Sequence, residues 1–367
     1  MLRELIRKQI FERFPLFFGA ASSLAVAILV GWLIAVRAGP AAIPVATLLY
    51  VGFAAAALGA WAIPRLTVVA RTNDFASRVE GPVFAMGFIV IALAATVVTA
   101  TAAFGAVAAL LAVAGLPADT GLGLLRAGTI FAVSVVGATL VWGFRVEGRL
   151  IEMTFHRVEI AGLAPALRGR RIAHLSDLHI GNGLDGARLA ALIERVNGIG
   201  ADLIVVTGDL FVGADDVASA LATHAPGIEL LRGRWAVIAT PGPLLVAGLD
   251  DPGHDWEDDA ESLAALEKLA AARPFDAPSI LLAHRPEAFP LAAPLGFSLV
   301  LSGHYHGGQV AVPLTGGRIN TARALTHFDR GLHRSGGAAL YVSRGLGFAG
   351  PRLRVASRPE IALLELA

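Results

Sequence analysis

Ile172-Ala-His-Leu-Ser-Asp-Leu-His-Ile180, closed by Gly181, is the stretch on which the reading of this chain turns. Ile172 to Leu175 has the apolar run of a buried strand, and the polar residues follow where such a strand would run out into a loop. In an extended chain, residues i and i+2 point the same way, so Asp177 and His179 would present a carboxylate and an imidazole from one edge. That pair is what a metal site uses. Three further segments repeat the arrangement. Leu203-Ile-Val-Val-Thr-Gly-Asp209 ends in an acid, Ile280-Leu-Leu-Ala-His284 ends in a histidine, and Leu301-Ser-Gly-His-Tyr-His306 ends in a second i, i+2 pair. Four successive strand ends thus each deliver an oxygen or imidazole ligand.

The chain around these segments divides sharply. It has 367 residues, 55% hydrophobic and only 16% charged, and it is too apolar to be soluble throughout. All 10 histidines lie beyond residue 155. The absence of cysteine excludes a disulfide framework and thiolate metal sites. A net charge of +1 gives no reason to expect a nucleic acid partner.

Four uncharged runs occupy the first half: 15–36, 41–63, 82–116 and 127–144. Each is long enough to cross a hydrocarbon core of about 30 Å. The third, at 35 residues, exceeds one span and is read as a span with a helical extension, broken near Gly105. None of the runs holds an ionisable residue, which favours an anchor over an ion path. Basic residues Arg3, Arg7, Lys8 and Arg13 precede the first run, and Arg65, Arg71 and Arg78 lie between the second and third. By the positive-inside rule both ends of the chain face the cytoplasm of a multi-pass inner-membrane protein. The domains expected are therefore a membrane anchor, 1–150, and a polar domain, 151–367. The arginines of 145–171 suit either anionic headgroups or simple control of topology.

Past Arg171, short apolar strands alternate with Ala/Leu-rich helices, as in an α/β domain with ligands at the carboxyl ends of its strands. Helices are expected at 186–198 and 257–272. Strands are expected at 154–160, 235–240, 244–249, 279–283, 298–302, 308–312, 339–343 and 360–366. His174 is out of phase with the ligands and reads as a packed residue. Gly345, Gly347 and Gly350 read as a turn near the site, and 320–334 as a loop beside it.

The segments HLSDLHIG, VVTGDL, AGLDD, LLAHRPE, SGHYHGGQV and YVSRGLG resemble the calcineurin-like metallophosphoesterase superfamily in its membrane-associated branch. The resemblance covers roughly Arg157 to Leu366. It implies a four-layer α/β/β/α sandwich and a binuclear centre of two divalent ions, of Mn, Fe or Zn type. One ion would take Asp177, His179, Asp209 and His306; the other would take Asp209, His284 and His304, with Asp209 bridging. Such a pair holds a hydroxide in line with a phosphorus atom. The implied substrate is a phosphodiester or pyrophosphate, and the implied partners are membrane lipids.

The family's Gly-Asn-His motif, which supplies a ligand and a leaving-group acid, is missing. Only 37 residues, Leu210 to Val246, separate Asp209 from the AGLDD segment. Either a strand, the motif and a helix are deleted and 227–238 follows the gap, or 233–238 is the motif's own strand with Ala239-Thr240-Pro241 in its place. Neither alignment restores the asparagine or the histidine. The competing expectation is a protein that binds metal or phospholipid without turnover.

Overall fold

The structure is a computed structural model that describes residues 2–38, 52, 55–56, 58–59, 62–63, 74–184, 186–211, 227–238, 243–251 and 260–367. It resolves into two compact units, residues 1–144 and 145–367.

Among the described residues of the first unit, three helices are long and apolar enough to cross a membrane: α1 (Leu2–Ala38), α2 (Asp74–Val113) and α3 (Ala118–Arg145). The expected span at 41–63 falls largely outside the described residues. The third run is one unbroken helix through Gly105, so the expected break is corrected: one glycine costs only about 1 kcal/mol in a helix, too little to end one of 40 residues. Small residues permit close packing here. A Cβ at Gly87 would come within 2.4 Å of the Phe18 ring, and one at Gly128 within 2.6 Å of the Phe104 ring. Thr96, Thr129 and Thr139 return their hydroxyls to carbonyls four residues back, so no polar side-chain group is left over at these positions.

The second unit is built on two sheets. The first has four strands, β1 (Glu152–Val158), β2 (Arg171–Leu175), β3 (Leu203–Val206) and β10 (Glu360–Leu366), in the order β1-β10-β2-β3. The second has six: β4 (Arg234–Ile238), β5 (Leu244–Gly248), β6 (Ser279–Leu282), β7 (Leu299–Ser302), β8 (Gly331–Ser335) and β9 (Ala338–Val342). Their order is β4-β5-β6-β7-β9-β8. Ile172, Val205 and Leu364 of the first sheet meet Val246, Ile280, Leu299 and Leu301 of the second in one buried cluster. Helix α4 (Gly186–Gly198) covers the outer face of the first sheet through Leu192 and Val196. Helix α5 (Ala260–Ala271) and the short α6 (Phe289–Ala292) cover the outer face of the second through Leu266, Leu269 and Phe289. The layers are therefore α/β/β/α. Covering on both sides explains why β5 and β9 read as continuous apolar runs rather than alternating ones.

The expected elements shift in a few places. Ile193, whose spacing with Leu189, Leu192 and Val196 puts it on the apolar face of α4, is 51% exposed. The expected strand at 308–312 makes only isolated bridges, Val310 to Val355 and Ala311 to Asn320, because left-handed backbone at Gly308 and Gln309 breaks the run. The expected loop at 320–334 contains β8, whose pattern Gly-Leu-His-Arg-Ser carries a single large apolar residue and so gave no strand signal.

β4 pairs antiparallel with β5, whereas β5, β6 and β7 run parallel. The carboxyl end of β4 therefore lies at the opposite end of the sheet from the strand ends leading to His284 and His304. That geometry disfavours reading 233–238 as the strand of the missing motif and favours the deletion. β3 accordingly stands at the edge of its sheet, with no strand on its outer side among the described residues.

His174 is fully buried on β2, with Nε2 2.7 Å from Thr207 Oγ1 and its ring edge-on to Tyr341. Burial holds its pKa down to about 3, against 6.5 for a free imidazole. The unfolded chain thus takes up a proton near pH 6.5 that the folded chain refuses until about pH 3, and stability present above 6.5 is lost as pH falls through that window. The urea midpoint of the detergent-solubilised chain should fall further between pH 7 and pH 5 than that of His174→Gln. Equal falls would remove His174 from the account.

Candidate metal centre

The two sheets bring the ends of β2 and β3 against the ends of β6 and β7. Asp177 and His179 follow β2, Asp209 follows β3, His284 follows β6, and His304 and His306 follow β7. Two groups of three donors result: Asp177, His179 and His306, and Asp177, Asp209 and His284. Within each group the ligand atoms lie within 4.8 Å of one another. Asp177 Oδ1 stands 3.3 Å from His306 Nε2 and 3.9 Å from His284 Nε2. Asp209 Oδ2 stands 3.4 Å from both His179 Nε2 and His284 Nε2. It therefore sits between histidines that the resemblance assigns to different ions. His304 belongs to neither group. Its ring meets that of His284 edge-on at 5.2 Å, and its backbone N–H donates to both Asp177 oxygens, at 3.0 and 3.2 Å.

The local backbone corrects the sequence argument. Asp177, His179, Asp209, His304 and His306 all have positive φ, between 43° and 76°. The i, i+2 pairs are not extended; each ligand sits in a tight left-handed turn. Such conformations cost about 1–3 kcal/mol per non-glycine residue and persist only where the surroundings over-determine them. Here they do. His179 N–H bonds to the Asp209 carbonyl at 2.8 Å, and Gly347 N–H to the Asp177 carbonyl at 2.7 Å. Leu346 N–H bonds to the Ser176 carbonyl at 3.0 Å. A Cβ at Gly303 would fall 2.1 Å from Asp177 Oδ2, and one at Gly345 2.7 Å from Asp177 Cβ. Gly345 and Gly347 therefore form the expected turn beneath the ligands, while Gly350 faces open space.

Charge in the cluster is tightly coupled. Burial raises the Asp177 carboxyl above its ordinary range. Burial alone would raise Asp209 too, but His284 and its neighbours outweigh it and hold Asp209 well below. Burial would lower His284, yet Asp209 and Asp177 carry it up to about 9. His304 is held down to about 3 by burial and then by His284. Burial and the Arg354 guanidinium keep His306 well below 6.5. The cluster thus demands one positive charge between its carboxylates, which a proton or a cation can supply.

The donors fit a cation. His284 Nδ1 lies 2.9 Å from the Thr207 carbonyl, which fixes one proton there and leaves Nε2 to take either a second proton or a cation. Nε2 is buried without a hydrogen-bond partner, since 3.4 Å to Asp209 is too long for a good hydrogen bond. His179 Nε2 and His306 Nε2 face each other at 3.1 Å. Imidazole nitrogens beside carboxylates suit Mn, Fe or Zn.

Sequence reading missed Arg354. It is fully buried and donates to the carbonyls of Arg344, Gly347 and Ser357 at 2.7, 2.6 and 3.1 Å, beside His306 Nδ1 at 3.2 Å. Its neighbour Arg352 is exposed, and nothing local to the sequence separates the two. His224 and His254 lie outside the described residues.

Comparison with known proteins bears on this geometry. The chain is 28% identical over 285 residues to a zebrafish "transmembrane protein with metallophosphoesterase domain", covering 65% of this chain and 62% of that one. It is 28% identical over 280 residues to the uncharacterized metallophosphoesterase YkuE of Bacillus subtilis, covering 66% of this chain and 94% of the relative. The phosphodiesterase YaeI of Escherichia coli is 28% identical over 231 residues, 53% of this chain and 82% of that one. These relatives support the calcineurin-like metallophosphoesterase superfamily, membrane branch. The match spans less than two thirds of the zebrafish relative's length. No family model and no solved structure matches the chain.

Removal of one donor should show in metal content. His284→Gln and Asp177→Asn, purified and dialysed against limiting Mn²⁺, should each bind it at least about tenfold more weakly than the parent chain. Unchanged stoichiometry and affinity by elemental analysis and titration would exclude both residues as ligands.

Proposed function

We propose that the chain is a membrane-anchored, two-metal phosphoesterase that hydrolyses a phosphodiester or pyrophosphate, with its substrate at or near the bilayer. The observation that carries this reading is the convergence of Asp177, His179, Asp209, His284 and His306, with His284 Nε2 buried and without a hydrogen-bond partner. His304 completes the proposed set through its place beside His284. Bound divalent ions would supply Lewis-acid charge at a phosphoryl group.

The remaining chemistry falls to the chain itself. Asp177 is sealed in and held by the His304 N–H, so it serves as a fixed charge. Asp209 is exposed and offers the cluster's open side. Thr207 orients the His284 ring. With the Gly-Asn-His motif absent, no residue of the family's pattern protonates the leaving group. That loss is worth about 10²- to 10⁴-fold where the leaving group is poor and far less where it is good. The basic residues around α1 and before α2 support a cytoplasmic location for the second unit.

The missing motif also favours a second reading, a descendant that binds metal or phospholipid without turnover. Hydrolysis of bis-p-nitrophenyl phosphate by the detergent-solubilised chain with Mn²⁺ separates the two. We expect turnover that Asp209→Ala abolishes, and a preference for aryl over alkyl diesters of about 10²-fold or more. Bound metal without turnover would establish the second reading.

A further inference from the structure

Six residues past His306 the chain enters a double turn, Val312-Pro-Leu-Thr-Gly-Gly-Arg-Ile319. In the first turn Thr315 N–H reaches the Val312 carbonyl at 3.4 Å, reinforced by Thr315 Oγ1 at 2.7 Å. Pro313 takes the second place and Leu314, with φ 68°, the third. Glycine or asparagine ordinarily fills that third place, because a left-handed backbone strains a residue with a Cβ. In the second turn Arg318 N–H reaches the Thr315 carbonyl at 3.2 Å across Gly316 and Gly317, both left-handed without strain. Val312 N–H to the Ile319 carbonyl, at 2.8 Å, and the Ala311–Asn320 bridge close the base. The loop is thus held in shape by its own hydrogen bonds.

Its side chains serve no core. Leu314 is 105% exposed, Ile319 59% and Val312 48%. A strained leucine that packs against nothing is explained neither by folding nor by solubility. Arg318 is exposed and has no ion pair among the described residues, and no acid occurs between Val310 and Ala322.

We propose that Val312, Leu314 and Ile319 insert into the headgroup–acyl boundary of a phospholipid bilayer, with Arg318 taking an anionic headgroup. Three apolar side chains are too few for a stable protein interface, which takes about 800 Å² per partner. An apolar tip flanked by an uncompensated cation is what an anionic lipid surface binds. A lipid surface is also at hand in every copy, since three helices among the described residues are of bilayer length. The base of the tip packs on the segment just past His306, where a Cβ at Gly308 would meet Asn320 Oδ1 at 2.6 Å. Insertion therefore brings that segment towards the headgroup layer.

The chain has no cysteine, so single labels are clean. Leu314→Cys in the full chain, labelled with an environment-sensitive fluorophore, is reconstituted into vesicles of phosphatidylcholine with and without phosphatidylglycerol. Glu267→Cys, exposed on α5, serves as the reference. We expect blue-shifted emission at 314, strong quenching by spin-labelled lipid and weak quenching by iodide, all enhanced by phosphatidylglycerol and reduced by Arg318→Gln. Label 267 should show the reverse. Iodide quenching at 314 equal to that at 267 would overturn the proposal, as would protection from both quenchers, the sign of a protein partner. Lipid contact indifferent to phosphatidylglycerol would overturn the role of Arg318. No readout depends on hydrolysis, so this outcome and that of the activity assay are separable.

Discussion

A carboxylate with no solvent exposure, ringed by imidazoles and one backbone N–H, is a charge the fold has to answer. Asp177 is that group. Burying an ion without a partner is costly enough that it neutralises or finds a counter-charge. The arrangement around it meets the demand in two ways. The His304 N–H donates to its oxygens, and His284 and His306 stand within reach of Oδ1. The layout of strand ends, the left-handed turns and the three glycines packed beneath them follow from holding this charge in place.

The two sheets contribute unequally. The first delivers both carboxylates and His179, at the ends of β2 and β3, and the second delivers His284, His304 and His306. These last three imidazoles meet the carboxylates only because the inner faces of the sheets are sealed together by one apolar cluster. A slip of either sheet would part donors that now stand 3.1–3.9 Å from one another. Rigid packing is therefore part of the chemistry, since a metal site tolerates little error in ligand placement.

What the fold lacks is as local as what it has. The motif that the family carries after Asp209 is absent from the sequence, and among the described residues no strand lies on the outer side of β3. The surviving donors do not depend on that strand, because β2 and β3 are already tied through Thr207, whose N–H bonds to the Leu175 carbonyl at 3.0 Å. On the two-metal reading proposed above, the donors keep their places without that segment, and leaving-group chemistry is the natural axis of specificity.

Much of this was legible in the sequence. Uncharged runs longer than 20 residues have few other uses, so the division into an apolar and a polar half followed from composition. Polar residues terminating apolar strands made Asp177, His179, Asp209, His284, His304 and His306 the candidate ligands; the fold gathers five of them into two donor groups and leaves His304 beside His284. Helix α4 emerged at its full length because its apolar period is regular. Tertiary structure alone decided the rest. The ligand pairs converge through left-handed turns fixed by hydrogen bonds to residues 30 and 170 positions away, which no local pattern encodes. Arg354 became a buried anchor and Arg352 an exposed side chain because the loop's path, not its composition, places one beneath His306. The direction of β4, which favours one of the two alignments of the gap, depends on its pairing with β5, and pairing direction is a property of the assembled sheet.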